Sequence, residues 1–211
     1  MTTQKHIVFD FDCTLTAKHW WKGLYMRQFS RNSILAPTLS QEERKFLQDI
    51  DSYEFVAHQS PMFSKLGALL QHTWGSSARL QQVRALLQEL KSSNAMISIS
   101  TNGQVNEVMG VLNASGISTG IFSYIHGYDD GRESKIAYDV SNGTYVSFST
   151  HSKEEFIRKV CDPTNIDNCI YVDDDSSEYA NVAALCRTVP LEKESTGLTA
   201  DHIDLILNMC K

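Results

Sequence analysis

The chain has 211 residues, of which 42% are hydrophobic and 21% are charged. These proportions are those of a globular protein with a buried core, and they argue against a disordered chain. A net charge of −6 gives no broad basic surface, so we expect neither a nucleic-acid partner nor an anionic membrane partner.

Cysteine usage and hydropathy indicate the cellular compartment of the protein. The five cysteines include no CxxC pair, and no apolar run has the pattern of a signal peptide or the length of a membrane span. We therefore expect a cytoplasmic protein with reduced cysteines. Cys13 lies between acidic residues, which should raise its pKa and make it a poor nucleophile. The sequence carries no signal for an oligomeric state.

Three short apolar segments predict buried parallel strands that end abruptly in polar residues. Residues 6–9 precede Asp10, residues 96–99 precede a Ser-Thr-Asn-Gly segment, and residues 169–172 precede three consecutive aspartates. Because ligands of open α/β sheets bind outside the carboxyl ends of the strands, these polar residues are candidates for a site.

Helical spacing of apolar residues separates the predicted strands. Four segments show it: Leu80 to Leu90, Val105 to Leu112, Phe156 to Val160 after a capping-box pattern that begins at Ser152, and Ile203 to Met209. Strands that alternate with helices predict an α/β fold with a doubly wound parallel sheet.

Two segments interrupt this alternation, and they suggest a division of the chain. Residues 1–16 and 75–211 would form the α/β core. Residues 17–74 would form a small helical cap, with an aromatic-rich helix at Trp20 and Trp21 and two further helical patterns, one that includes Phe46 and Tyr53 and one from Phe63 to Leu70. Within the core, residues 127–150 would insert a β-hairpin, because Asn142-Gly143 lies between alternating residues.

The polar residues at the strand ends form an ordered set. In chain order the set is Asp10-Phe11-Asp12-Cys13-Thr14, then Thr101-Asn102-Gly103, then Lys153, then Asp173-Asp174 with Glu178 beyond. With this set the chain resembles the haloacid dehalogenase (HAD) superfamily of phosphohydrolases, and the resemblance spans about residues 6 to 178. It implies a Rossmann-like HAD core and a phosphatase that forms an aspartyl-phosphate.

The resemblance also implies roles for individual residues. Asp10 would be the nucleophile and Asp12 the general acid and base, and an acid at the second position argues against dehalogenation. Thr101, Asn102 and Gly103 would bind phosphate oxygens. Lys153 would pair with Asp10 and the phosphoryl group. Lys135 competes for that role, and we prefer Lys153 because it begins a capped helix before the acidic strand.

Magnesium is the expected cofactor, because it prefers oxygen ligands and keeps several waters. By resemblance its ligands are Asp10, the backbone carbonyl of Asp12, and Asp174. Asp173 and Glu178 would hold metal-bound waters or Lys153, and Asp175 would be exposed or cap a helix.

Three functions fit these residues. The first is hydrolysis of a small phosphorylated metabolite, because a cap over residues 17–74 could enclose the crevice. The second is a protein phosphatase acting on phosphotyrosine, and the third is a catalytically silent, magnesium-binding interaction module. His19 follows the nucleophile segment, where a substrate contact competes with a role as polar surface.

Overall fold

The computed structural model describes residues 4–50, 62–129, 135–150, 152–161, 166–192 and 197–211. Its centre is a seven-stranded sheet. The strands are β1 (His6–Phe9), β2 (Met96–Gln104), β3 (Tyr124–Tyr128), β4 (Lys135–Asp139), β5 (Thr144–Thr150), β6 (Cys169–Asp173) and β7 (Arg187–Pro190).

The sheet has the strand order β5-β4-β3-β2-β1-β6-β7. Strands β3, β2, β1, β6 and β7 run parallel, whereas β4 and β5 pair antiparallel at one edge. Residues 140–143, which include Asn142-Gly143, connect these two antiparallel strands. The predicted α/β class with a largely parallel sheet is confirmed, and β1 lies in its interior between β2 and β6.

Nine α-helices lie in the described part of the chain. They are α1 (Trp20–Tyr25), α2 (Gln28–Arg31), α3 (Gln41–Gln48), α4 (Gly67–Trp74), α5 (Ser77–Ser92), α6 (Val105–Ala114), α7 (Lys153–Val160), α8 (Ser176–Val182) and α9 (Ala200–Met209). The helices predicted at 80–90, 105–112, 156–160 and 203–209 are confirmed as α5, α6, α7 and α9.

Alternation along the central strand explains why helices cover both faces of the sheet. Ile7 and Phe9 belong to a hydrophobic cluster with residues of α5, α6 and α9. Val8 points the other way, into a second cluster with residues of α7 and α8. Successive side chains of a strand face opposite sides, so both faces of β1 are buried.

The segment predicted to form a cap packs on the first of these clusters. Trp20 and Phe29 of this segment lie in the same cluster as Ile7 and Phe9 of the central strand. Glu43 links two helices of the segment: its carboxylate accepts the Ser40 N–H at the start of α3 and the N–H groups of Ala68 and Leu69 in α4. Tyr53, expected on the helical pattern of Phe46, lies outside the described residues.

The cysteines correct one expectation. The sequence led us to expect reduced cysteines, but the structure joins Cys161 and Cys169 in a disulfide, with their Cα atoms 6.0 Å apart. The physical reason is topological, because Cys161 follows the end of α7 and Cys169 begins β6, and the two ends meet. Cys13, Cys186 and Cys210 are free thiols. None of the described helices combines the length and the apolar character that a membrane span needs.

Candidate active site

The site forms where the three predicted strands end. β1 pairs in parallel with β2 on one side and β6 on the other, so their carboxyl ends meet at one edge of the sheet. The Asp10 N–H still donates to the Val172 carbonyl at 2.8 Å, which holds the chain on the sheet as it leaves β1. Asp10 and Asp173 are thereby placed on adjacent strands at the same edge.

A tight turn follows Asp10, and a partly buried arginine fixes its shape. Cys13 adopts a left-handed conformation with φ of +59°. The Arg79 guanidinium of α5 donates to the carbonyls of Leu15 at 2.7 Å and Thr14 at 3.0 Å. Arginine matches several acceptors at once with a rigid fork of donors, so α5 holds the turn in register with the sheet.

Lys153 joins two aspartates across this edge. Its Nζ donates to Asp10 Oδ1 at 2.8 Å and to Asp173 Oδ2 at 2.7 Å, and its side chain is 2% exposed. Burial lowers the pKa of Lys153, but the two carboxylates outweigh that effect and raise it above its ordinary value. Burial raises the pKa of Asp10, and the Lys153 ammonium opposes this rise. The ammonium therefore neutralises part of a dense group of acids.

The N-terminus of α7 explains the position of Lys153. The Ser152 hydroxyl accepts the Glu155 N–H at 3.1 Å, so the helix begins at Lys153. The strand carrying Asp173 packs beside it, and Asp173 is held further by a hydrogen bond from the Asp175 N–H at 2.8 Å and by the Tyr171 hydroxyl. Asp175 caps α8 by accepting the Ser177 N–H at 3.0 Å, as expected for a helix cap.

A carboxylate cluster here could hold a cation. Oxygen atoms of Asp10, Asp173 and Asp174 all lie within 4.8 Å of one another. Both Asp173 oxygens already accept hydrogen bonds within the protein. An all-oxygen donor set is the type that magnesium prefers, so these residues fit that ion.

A second grouping at the same place does not suit a softer metal. Cys13, His19 and Asp174 also bring ligand atoms within 4.8 Å of one another. A metal binds cysteine as the thiolate, but burial, together with nearby carboxylates, raises the pKa of Cys13 to about 12. Losing the proton that metal binding requires is therefore less favourable for this thiol than for an ordinary cysteine, and the oxygen cluster is the better cation site.

Asp12 lies two residues after Asp10, where helix α1 contacts it. Its Oδ1 accepts the Trp20 N–H at 2.9 Å, and its Oδ2 lies 3.6 Å from His19 Nδ1. The other ring nitrogen of His19 lies 3.0 Å from Lys22 Nζ. His19 is therefore beside the candidate acid rather than on a distant surface.

The segment Thr101 to Gly103 differs from the expected helix start. It continues β2, and α6 begins at Val105. The Thr101 hydroxyl accepts the Gly103 N–H at 3.0 Å, and both residues are buried. Asn102 is exposed to the pocket, and its Oδ1 accepts a hydrogen bond from Lys135 Nζ at 2.5 Å. Of these three residues, the structure places the Asn102 side chain at the pocket.

These groups surround a cavity of about 500 Å³. It is lined by Asp10, Asp12, His19, Trp21, Lys22, Asn102, Tyr128, Lys153, Asp173, Asp174 and Asp175. Glu178, in the first turn of α8, is partly buried and is not among these lining residues. The volume falls within the range of pockets that take small molecules.

Two residues that line the pocket escaped the sequence analysis, Lys22 of α1 and Tyr128 at the end of β3. Trp21, predicted only as part of the cap helix, also lines it, and Lys135, weighed as the competitor of Lys153, contacts Asn102. The aromatic pair at Trp20 and Trp21 was a signal, but sequence spacing did not separate the buried ring from the exposed one. Trp20 is 2% exposed, whereas Trp21 is 40% exposed.

Comparison with known proteins finds similarity in the fold. Neither a family model nor a curated protein matches the sequence. The HAD domain of effector protein Lem4 from Legionella pneumophila is similar with a TM-score of 0.53 at 14% identity, covering 99% of this chain and 96% of that one. A haloacid dehalogenase-like hydrolase from Streptococcus pneumoniae is similar with a TM-score of 0.47 at 15% identity, covering 97% of this chain and 91% of that one. The likeness to the Lem4 domain shows that this chain has a HAD-like fold.

Proposed function

We propose that the protein is a magnesium-dependent phosphatase that hydrolyses phosphate monoesters through an aspartyl-phosphate on Asp10. The observation that carries the proposal is the contact of Asp10 with Lys153 at the floor of the pocket, with a second acid, Asp12, two residues further along the chain. A buried carboxylate beside an ammonium and a second, separately held acid are the parts that covalent phosphoryl transfer needs.

The first half-reaction transfers the phosphoryl group to Asp10. A carboxylate oxygen of Asp10 attacks phosphorus, and the bond between phosphorus and the leaving oxygen breaks. Asp12 donates a proton to that oxygen, so the product leaves as a neutral alcohol. Lys153, which contacts Asp10, stabilises the negative charge on the phosphoryl oxygens.

The second half-reaction releases phosphate. Asp12, now a carboxylate, accepts a proton from a water molecule whose oxygen attacks phosphorus. The bond between phosphorus and the Asp10 oxygen breaks, which yields inorganic phosphate and restores the Asp10 carboxylate. Asp12 regains its proton, so one residue serves as acid and then as base.

Asp10, Asp174 and the Asp12 carbonyl would hold the magnesium ion. When bound, the ion would neutralise charge on the phosphoryl oxygens and on the carboxylates around them. Asp173 would support the arrangement through its hydrogen bond from Lys153. We place Glu178 further away, because it does not line the cavity.

The pocket favours a small phosphorylated metabolite as substrate. Its volume of about 500 Å³ would accommodate a small molecule, and helix α1 supplies part of its wall through Trp21 and Lys22. Phosphotyrosine in a protein is the alternative, supported by the aromatic rings of Trp21 and Tyr128 at the pocket. The complete set of Asp10, Asp12 and Lys153 speaks against a catalytically silent module.

The two aspartates should fail differently when they are changed, and this difference tests the mechanism. Asp10→Asn removes the attacking oxygen, so neither hydrolysis nor a phosphoenzyme should be detected. Asp12→Asn keeps the nucleophile but loses proton transfer, a loss of about 10²- to 10⁴-fold. That loss should be smaller for nitrophenyl phosphate than for an alkyl phosphate, because nitrophenolate leaves without protonation.

The assay compares the parent and both variants on both esters, with magnesium present and with folding checked by circular dichroism. Hydrolysis by a folded Asp10→Asn protein at nearly the parent rate would refute the covalent mechanism. Equal losses of Asp12→Asn on both esters would refute the role of Asp12 as acid.

Substrate class is tested by a separate comparison of kcat/KM. Phosphorylated metabolites are measured beside phosphotyrosine and phosphoserine peptides. Higher kcat/KM on a metabolite supports the small-molecule assignment, whereas higher kcat/KM on a phosphotyrosine peptide supports the alternative. If the parent hydrolyses none of these compounds or nitrophenyl phosphate, the phosphatase proposal fails.

A further inference from the structure

A second buried lysine lies beneath the pocket, at a position set by the sheet. β4 runs antiparallel to β3, and Lys135 at the start of β4 pairs with Tyr128 at the end of β3. The first residue of β4 therefore reaches the same edge as the carboxyl ends of the parallel strands. Lys135 is 3% exposed, so its ammonium is buried there.

The ammonium of Lys135 has no carboxylate partner among the described residues. Its Nζ donates to Asn102 Oδ1 at 2.5 Å and lies 5.3 Å from the centre of the Tyr128 ring. Carboxylates further away, Glu178 first and then Asp10 and Asp173, raise the pKa of Lys135 against the effect of burial. Both Asn102 and Tyr128 line the pocket, so the ammonium lies next to the place where a ligand would bind.

The hydrogen bond from Lys135 to Asn102 also fixes the orientation of the Asn102 amide. An ammonium has donors and no acceptor, so the amide oxygen must face Lys135 and the NH₂ group must face away from it. Asn102 lines the pocket, so its NH₂ group becomes a donor available to a phosphate oxygen. Without Lys135 the amide could turn and present its oxygen, which would repel phosphate.

The charge of the pocket gives an independent reason for a further cation. Five acidic side chains line it against the two ammonium groups of Lys22 and Lys153. Asp12 is protonated when substrate binds, as the first half-reaction requires, so four carboxylates leave an excess of two negative charges. A divalent cation and a phosphate dianion cancel each other, so this excess persists with substrate bound. Burial, together with Lys153, lowers the pKa of Lys135 to about 8, which leaves it largely charged at neutral pH.

We propose that Lys135 is a positioning residue of the phosphate site, which turns the Asn102 amide toward phosphate and adds positive charge beneath it. The proposal rests on the proposed function, because it takes the pocket to bind a phosphoryl group. It assigns both lysines to the site: Lys153 bonds two aspartates, whereas Lys135 bonds Asn102 and acts on the ligand through that amide.

The test measures binding of inorganic phosphate by calorimetry with magnesium present. Lys135→Met should weaken binding by about tenfold or more, as expected when a charged hydrogen-bonding partner is lost. Lys135→Arg keeps the charge and should recover most of the affinity. Lys91→Met, at an exposed position of α5, changes the net charge equally and should bind phosphate like the parent.

A double-mutant cycle tests the route through Asn102. In an Asn102→Ala background, Lys135→Met should weaken phosphate binding by a smaller factor than in the parent, because the part of its effect that acts through Asn102 is already lost. On nitrophenyl phosphate, Lys135→Met should raise KM more than it lowers kcat, as expected for binding lost equally in ground and transition states. A purely structural lysine would instead lower the melting temperature.

Phosphate affinity of Lys135→Met within twofold of the parent, or full multiplication of the two effects in the double variant, would overturn the inference. Lys135→Gln gives the same measurement if the methionine variant does not fold. Turnover by the parent protein judges the proposed function separately. A parent that binds phosphate without hydrolysing esters would leave this inference standing and overturn the phosphatase.

Discussion

Removing the Lys153 ammonium should reduce both stability and activity. In Lys153→Met, Asp10 and Asp173 would face each other in a buried site without their common counter-charge. Breaking a buried ion pair by removing one partner costs about 3 to 5 kcal/mol. In a chain of this length each 1 kcal/mol lowers the melting temperature by about 2 to 4 °C, so we expect a decrease of about 6 to 20 °C.

The assay is thermal unfolding followed by circular dichroism, first with a chelator and then with magnesium. Magnesium should raise the melting temperature of Lys153→Met more than that of the parent, because the ion would take over neutralisation of Asp10. Adding Asp173→Asn to Lys153→Met should recover part of the loss, because one uncompensated carboxylate is removed. Lys91→Met serves as an exposed control.

Two results would refute this reasoning. One is a melting temperature of Lys153→Met within about 2 °C of the parent in chelator, since 3 kcal/mol would shift it further. The other is a further decrease on adding Asp173→Asn, which would mean that Asp173 stabilises the site by its own hydrogen bonds rather than by pairing with the ammonium.

Four further outcomes are expected. Excess EDTA should abolish hydrolysis of nitrophenyl phosphate and added magnesium should restore it; unchanged rates would contradict the metal assignment. Trp21→Ala should change the relative rates among substrates with little effect on the melting temperature. Trp20→Ala should instead lower the free energy of unfolding in urea by about 3 to 5 kcal/mol. Equal losses of stability in the two variants would place both side chains in the core. Glu43→Ala should lower the free energy of unfolding by about 1 to 3 kcal/mol, because it leaves N–H groups at the start of α4 without their acceptor. Glu42→Ala, at an exposed position, should lower it little. Burial lowers the pKa of His6 to about 4, so its imidazole binds a proton more tightly in the unfolded chain than in the folded one. The free energy of unfolding should therefore fall by about 3 kcal/mol from pH 6.5 to pH 4. In His6→Asn this dependence on pH should become weaker.

The sequence predicts the central strands because their burial on both faces leaves a plain pattern. β1, β2 and β6 are apolar segments that run into polar residues, and this contrast is visible without any knowledge of the fold. β3 gives no such pattern, because it contains His126 and Gly127. His126 is nevertheless fully buried, since Ser100 bonds its ring at 2.8 Å and Phe156 stacks on it. Those partners come from distant parts of the chain, so they cannot be read from the local sequence.

The position of the candidate site follows from the same pattern. The aspartates and Lys153 could be singled out because each follows a strand end or begins a capped helix, and the structure brings them to one pocket, while their roles stay predictions. The conformation of Thr101 to Gly103 was less accessible, because the same residues could begin a helix or extend a strand. The structure extends β2 to Gln104, with the Thr101 hydroxyl accepting the Gly103 N–H, and α6 begins only at Val105.

The two lysines show what sequence spacing alone could not decide. Lys153 and Lys135 appeared as alternatives because each precedes the acidic strand, and only one was expected at the site. The antiparallel direction of β4 changes that choice, because it brings the first residue of the strand, rather than the last, to the edge where Asp10 lies. A parallel β4 would have put Lys135 at the opposite edge. The direction of β4 therefore decides whether a second buried ammonium lies next to the pocket, bonded to Asn102, and with it how strongly the acidic side chains of the pocket can be offset when a phosphate group enters.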